Sequence, residues 1–242
     1  MNHSRLLTLI LIPALALAVP AQAKLKEAAM KLPGELAQTP RLPVQGRQGW
    51  KLTERLKFGD FSVHEVQRSI TKGSDLQILF YEGSKRRQTF GFTLSEGSTP
   101  LWRGAAATNL HRRALESDDG FAIELRNKSG FAARLSPVAD TDKSWTLELT
   151  EKGEHPLQGT LSRGNQVIAV KGTNRLAGTP FPLGDTSGYV FEVSGRSVAA
   201  VEVINDGAVW LSPGLDPALR APITAAISAL LLFEELRATL PE

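Results

Sequence analysis

From Trp50 to Ser212 the apolar residues recur at every second position, and no run of ten or more residues with helical period interrupts them. The runs are Phe61/Val63, Leu76/Ile78/Phe80, Phe90/Phe92/Leu94, Phe121/Ile123/Leu125, Trp145/Leu147/Leu149, Tyr189/Phe191/Val193 and Val201/Val203. Successive side chains of a strand point to opposite faces, so each run has one apolar and one polar face. Gly, Asn, Asp or Ser turns bound them, as expected of antiparallel strands with one wet side. Parallel strands need crossovers, for which helical segments are missing here.

The pattern changes after Pro213-Gly214 and Asp216-Pro217. Ala221 to Phe233 is uncharged and holds Ile223, Ile227, Leu230, Leu231, Leu232 and Phe233 among alanines. The alanines favour helix, Pro222 suits a first turn, and a helix is expected over about 217–240. It is apolar nearly all round, which requires burial on most sides, and too short in its apolar part to span a bilayer. At roughly 1.5–3 kcal/mol per large side chain, its burial contributes on the order of 10 kcal/mol gross. The expected fold is therefore mainly β: an antiparallel β-barrel or sandwich with a buried apolar C-terminal helix. The stretch Val201-Glu202-Val203 through Gly207-Ala208-Val209-Trp210, followed by the Ala/Leu helix, is similar in outline to barrels of the tubby, scramblase and LURP-one type. That resemblance implies a helix filling the barrel lumen, and it carries over no functional residue.

The N-terminus has its own logic. Arg5 precedes an apolar stretch from Leu6 to Val19, Pro20 breaks it, and Ala21-Gln22-Ala23 offers small residues for a signal peptidase. Residues 1–23 are thus expected to be a cleavable secretory signal cut after Ala23. An uncleaved anchor is the alternative, since Leu6–Ala23 is free of charge, although its two prolines disfavour it. The chain has no cysteine, so it forms no disulfide and receives no lipoprotein-type lipid. A periplasmic protein of a bacterial envelope is expected, without a transmembrane segment in the mature chain. Leu25, Ala28, Ala29 and Leu32 have the spacing of one helix face, and Pro33, Pro40 and Pro43 follow. Residues 24–45 read as a short amphipathic helix and linker, and residues 46–242 as a single β-rich domain. Formal charge is +3, or +2 without Arg5, too little for a dedicated nucleic-acid binder.

Little in the sequence marks chemistry. Phe121–Leu125, Trp145–Leu149 and Tyr189–Val193 share an aromatic-x-apolar-Glu-aliphatic pattern, with Ala132-Ala133 and Ala199-Ala200 following two of them. Recurring hairpins under one packing rule account for this, with internal duplication as the other reading. His64, His111 and His155 lie far apart, without metal-ligand spacing. Gly184-Asp185-Thr186-Ser187-Gly188 resembles protease loops of the aspartic and serine types. Ser187 stands where the first type needs glycine, and Thr186 interrupts the second, so a polar turn is expected. Asp140 to Glu151 matches five calcium-loop positions but has Trp145 where the sharp turn needs glycine. No catalytic, cofactor-binding or metal-binding residue is assigned. Lys85, Arg86, Arg87, Arg112 and Arg113 are candidates for contact with anionic headgroups or phosphates.

The function expected is non-catalytic: an envelope protein that binds an apolar ligand or lipid, or a partner protein. Trp50, Trp102, Phe90 and Phe92 are candidate pocket walls unless they form the core. A lumen filled by the helix removes that cavity. The rival is a hydrolase assembled only in the fold, for which a cleft setting His64 or His111 beside a Ser or carboxylate would argue.

Overall fold

The computed structural model describes residues 29–47, 55–70, 88–108, 115–116, 122–123, 130–152 and 155–238. Alternation becomes strand in the runs that are described, while Leu76/Ile78/Phe80, Phe121 and Leu125 lie outside the described residues. The elements are β1 (Leu42–Pro43), β2 (Leu56–Phe58), β3 (Phe61–Ile70), β4 (Gln88–Glu96), β5 (Thr99–Thr108), β6 (Leu115–Glu116), β7 (Ala122–Ile123) and β8 (Gly130–Pro137). They continue with β9 (Trp145–Lys152), β10 (His155–Arg163), β11 (Gln166–Thr173), β12 (Gly188–Val193), β13 (Arg196–Glu202), β14 (Ala208–Leu211) and the helix α1 (Pro217–Ala238).

Twelve strands form one antiparallel sheet in the order β1-β14-β13-β12-β11-β10-β9-β8-β5-β4-β3-β2, and β6 pairs with β7 separately. The sheet curls into a nearly closed barrel. One short segment closes the seam. Leu42 and Pro43 pair with Val209 and Ala208 of β14. Two residues on, Gln45 exchanges both backbone hydrogen bonds with Lys57 of β2, at 2.8 and 2.9 Å. The first and last strands of the sheet are thus joined through Leu42–Gln45, which shields edges that would otherwise be open.

The helix lies in the lumen. Ile223, Ile227, Leu230, Leu231 and Leu232 are fully buried, and Phe233 nearly so, in one core with inward residues of β2 to β5 and β8 to β14. α1 packs against β5, β8 and β13, on which Ala106, Ala133 and Ala199 join the same core. Small side chains at these positions leave the width a helix needs. Phe131 of β8 stacks on Phe233 with ring centres 4.5 Å apart, and Phe90 of β4 stacks behind it at 6.2 Å. The helix's buried hydroxyls are satisfied locally, Thr224 and Ser228 donating to the carbonyls of Arg220 and Thr224. The Arg68 guanidinium donates to the Leu232 carbonyl at 3.4 Å, tying β3 to the helix.

Two expectations need correction. Pro222 is not in the first turn. Asp216 caps the helix by accepting from the Ala218 amide, Pro217 takes the first helical position, and Pro222 sits a turn further in. The amphipathic helix also fails in its described part. Ala29–Leu32 is extended, because Lys31 donates to the Arg175 carbonyl and Ala177 to the Ala29 carbonyl, drawing the segment alongside the loop after β11. Residues 24–28 lie outside the described residues.

Candidate functional site

On β3, Phe61, Val63 and Val66 are core residues, and between His64 and Gln67 the register against β4 slips. The inserted residue, Glu65, takes φ 53°, a left-handed conformation uncommon outside glycine. On β4 the core residues are Phe90, Phe92 and Leu94, so Thr93 and Ser95 face outward, and the register against β5 slips after Leu94. Two irregularities therefore meet on one patch of the outer wall.

His64 Nε2 lies 2.8 Å from Ser95 Oγ, and His64 Nδ1 lies 4.0 Å from Glu65 Oε2. Thr93 Oγ1 donates to that same carboxylate oxygen at 2.7 Å. A hydroxyl bonded to an imidazole beside a carboxylate is the composition of a nucleophile, base and orienting acid. The geometry falls short in two respects. The His64–Glu65 separation is that of an ion pair, beyond hydrogen-bond reach. Ser95 is only 2% exposed, so an acyl group has no route to its Oγ as the strands stand. In this arrangement the polar groups tie β3 to β4.

The aromatic residues expected as pocket walls are core instead. Phe90, Phe92 and Trp102 pack in the cluster that encloses α1, and Phe92 occupies the space that a side chain at Gly104 would need. Trp50 lies outside the described residues, as do His111 and the basic candidates Lys85, Arg86, Arg87, Arg112 and Arg113. His155 opens β10.

The Asp185 loop is a turn. Ser187 is fully buried and lies 3.0 Å from the carbonyls of Thr173 and Arg175, to which its Oγ donates. The Asp140 carboxylate caps the short 3-10 turn Thr141–Lys143 by accepting from the Asp142 amide, and it pairs with Lys143 at 2.9 Å. The hydrogen bond from Lys143 holds its pKa below the ordinary carboxylate value. The sequence from Trp145 onward is strand, which carries Glu148 away from that turn, and no metal-holding cluster occurs among the described residues. Of the repeated glutamates, Glu148 is half-buried and Glu192 pairs with Lys171 at 2.7 Å.

A second patch escaped the sequence reading. Met30 and Leu36 pack on the outer wall against Val190, Ala200, Ala208 and Trp210. The segment is pinned by Glu202, 1% exposed, whose Oε2 accepts from the Met30 amide at 2.6 Å and whose Oε1 lies 3.5 Å from Arg41. Gly188 is glycine for this reason: a Cβ there would overlap both Met30 Sδ and the Val201 carbonyl. The alternation of Met30 with Leu32 was the available signal, but a charged residue inside an apolar strand run, Glu202, reads locally as solvent-facing.

Comparison with protein-family models, curated proteins and solved structures finds no match. The fold and these two patches are what bears on function.

Proposed function

We propose that this chain is a non-catalytic protein of the bacterial envelope, exported to the periplasm, that works through the outer surface of its barrel. The observation that carries the reading is the occupied lumen. The side chains that would enclose an apolar ligand already enclose α1, and Phe131 and Phe90 are stacked in series against Phe233. Carriage of a lipid inside the barrel would require the helix to leave and expose that surface. An interaction or scaffold role needs no such step. Native mass spectrometry of the protein recovered from a periplasmic extract tests this. A single ligand-free mass is expected, whereas a reproducible adduct of lipid mass that is lost on denaturation would overturn it.

The alternative is a hydrolase, favoured by the 2.8 Å contact between His64 and Ser95. Treatment with a fluorophosphonate probe separates the two. Labelling that disappears in Ser95→Ala and in His64→Ala would establish the hydrolase, and an unlabelled protein sustains the non-catalytic reading.

A further inference from the structure

Four neighbouring strands set their outward residues in one line across the barrel wall. His64 of β3 stands opposite Thr93 of β4, Thr93 opposite Arg103 of β5, and Arg103 opposite Ser136 of β8. The line continues at both ends. Leu56 is buried against Val63, so the residues flanking it, Arg55 and Lys57, stand outward beside β3, and both are exposed. At the other end Ser136 Oγ lies 2.8 Å from Ser144 Oγ, to which Arg134 Nε donates at 3.3 Å. Neighbouring strands lie about 4.8 Å apart, so the line runs about 24 Å round the wall from β2 to the start of β9.

Its charge is one-sided. Arg55, Lys57, Arg103 and Arg134 are fixed cations, met along the line by one carboxylate among the described residues, that of Glu65, on a chain whose whole surplus is +3. Glu65 is itself engaged, accepting from Thr93 and lying 4.0 Å from His64. Lys171 has Glu192 at 2.7 Å and Lys143 has Asp140 at 2.9 Å, whereas Arg55, Lys57 and Arg103 have no such acid among the described residues. The next outward acid on β9, Glu148, is half-buried and stands opposite Ala132 and Thr160, not an arginine. Like charges on adjacent strands repel, and a ligand carrying negative charge relieves that repulsion.

The kind of ligand follows from what the line holds and lacks. Phe58, Phe90, Phe92, Trp102, Phe131 and Trp145 of these strands all belong to the core. The exposed large apolar residues are Val138, Val167 and Phe181, none of which lies on the line. It therefore offers no ring on which nucleobases could stack and no apolar side chain to enter a bilayer. Guanidinium forks and hydroxyls distributed over successive strands suit carboxylate or phosphate groups repeated along an extended polymer. We propose that this line binds an acidic polysaccharide, whose charged groups meet Arg55, Lys57, Arg103 and Arg134 and whose hydroxyls meet His64 and Ser136. The proposal rests on the reading of an envelope protein that works through its outer wall, and names the class of partner that the wall takes.

Titration calorimetry tests it on the protein expressed from its full sequence, with its compartment read first by fractionation. The probes are hexameric oligogalacturonate, maltohexaose as the uncharged glycan and oligothymidylate as a polyanion of another class. Oligogalacturonate should bind and weaken with added salt, and maltohexaose should not bind. Arg103→Ala should lower the affinity about tenfold, as expected for loss of a hydrogen bond to a charged group. Lys57→Ala, on a different strand, should weaken binding too, and Arg196→Ala, exposed on β13 across the barrel, should leave it unchanged. The side chains of Arg103, Lys57 and Arg196 are exposed, so melting temperatures should match wild type. Absence of oligogalacturonate binding, equal binding of maltohexaose, tighter binding of oligothymidylate, or equal loss in Arg103→Ala and Arg196→Ala overturns the proposal. If the exported protein ignores oligogalacturonate, the polysaccharide surface fails and the envelope reading stands. If the protein binds it through Arg103 but is not exported, the envelope reading fails and the polysaccharide surface stands.

Discussion

Two glutamates on the outer wall show how far environment separates identical side chains. Glu148 of β9 stands opposite Ala132 on β8 and Thr160 on β10, and burial without a charged partner raises its pKa above the ordinary 4.5. The folded chain thus holds this proton more tightly than the unfolded chain does. Stability from the group is fully present below pH 4.5 and is lost as pH rises through the higher folded value. Glu148→Gln should accordingly be more stable than wild type at neutral pH and lose the advantage in acid, read as urea midpoints between about pH 4 and pH 7. Asp140 works in the opposite sense. Its lowered pKa contributes only above the ordinary 3.8 and is lost as pH falls through the folded value, and solvent screening of its partly exposed carboxylate keeps the effect small. Glu202 is a third case, buried but partnered. Removing its carboxylate in Glu202→Ala strands the Met30 amide and leaves Arg41 without its acid, and a loss of about 1–3 kcal/mol is expected. Hydrogen exchange should then speed up at Met30 and Lys31 before it does in the barrel strands.

At the scale of elements, close approach and filling matter more than propensity. Gly159 of β10 lies against β9 so tightly that a Cβ would overlap the Glu148 carbonyl oxygen. That neighbour is backbone and cannot rotate away. Gly159→Ala should cost about 1–3 kcal/mol, measured by chemical denaturation, as the β9–β10 pair splays. The helix is the converse case, where subtraction does the damage. Leu231→Ala removes a fully buried side chain from a lumen enclosed on every side, where collapse around the gap is limited. A loss of about 2–5 kcal/mol is expected, with the fold retained by circular dichroism.

For the whole molecule, the barrel depends on a segment outside the long strands. Leu42–Gln45 covers the edges of β14 and β2 at once. A variant lacking residues 24–45 leaves both edges unpaired and uncovers Val190, Ala200, Ala208 and Trp210 on the wall. Size-exclusion chromatography should show it associated or aggregated where the intact protein runs as one species, because open edges and apolar patches pair between molecules.

The sequence by itself determined what nearest neighbours determine. Alternation at Phe90/Phe92/Leu94 or Trp145/Leu147/Leu149 fixes strand and facing, and the all-round apolar character of Ala225–Phe233 fixes burial, since both follow from the geometry of a single element. Barrel rather than sandwich was not legible, because it rests on Gln45 meeting Lys57 across a seam and on alanines of β5, β8 and β13 converging on one helix. The spacing of Leu25, Ala28, Ala29 and Leu32 suits a helix, but Ala29–Leu32 is extended because the loop at Arg175–Ala177 supplies its hydrogen bonds. His64 beside Ser95, and Met30 on Glu202 across 172 positions of chain, leave no trace in local pattern. Only the tertiary structure decided these, because pairing between distant segments is set by how the sheet closes and not by the periodicity of either partner.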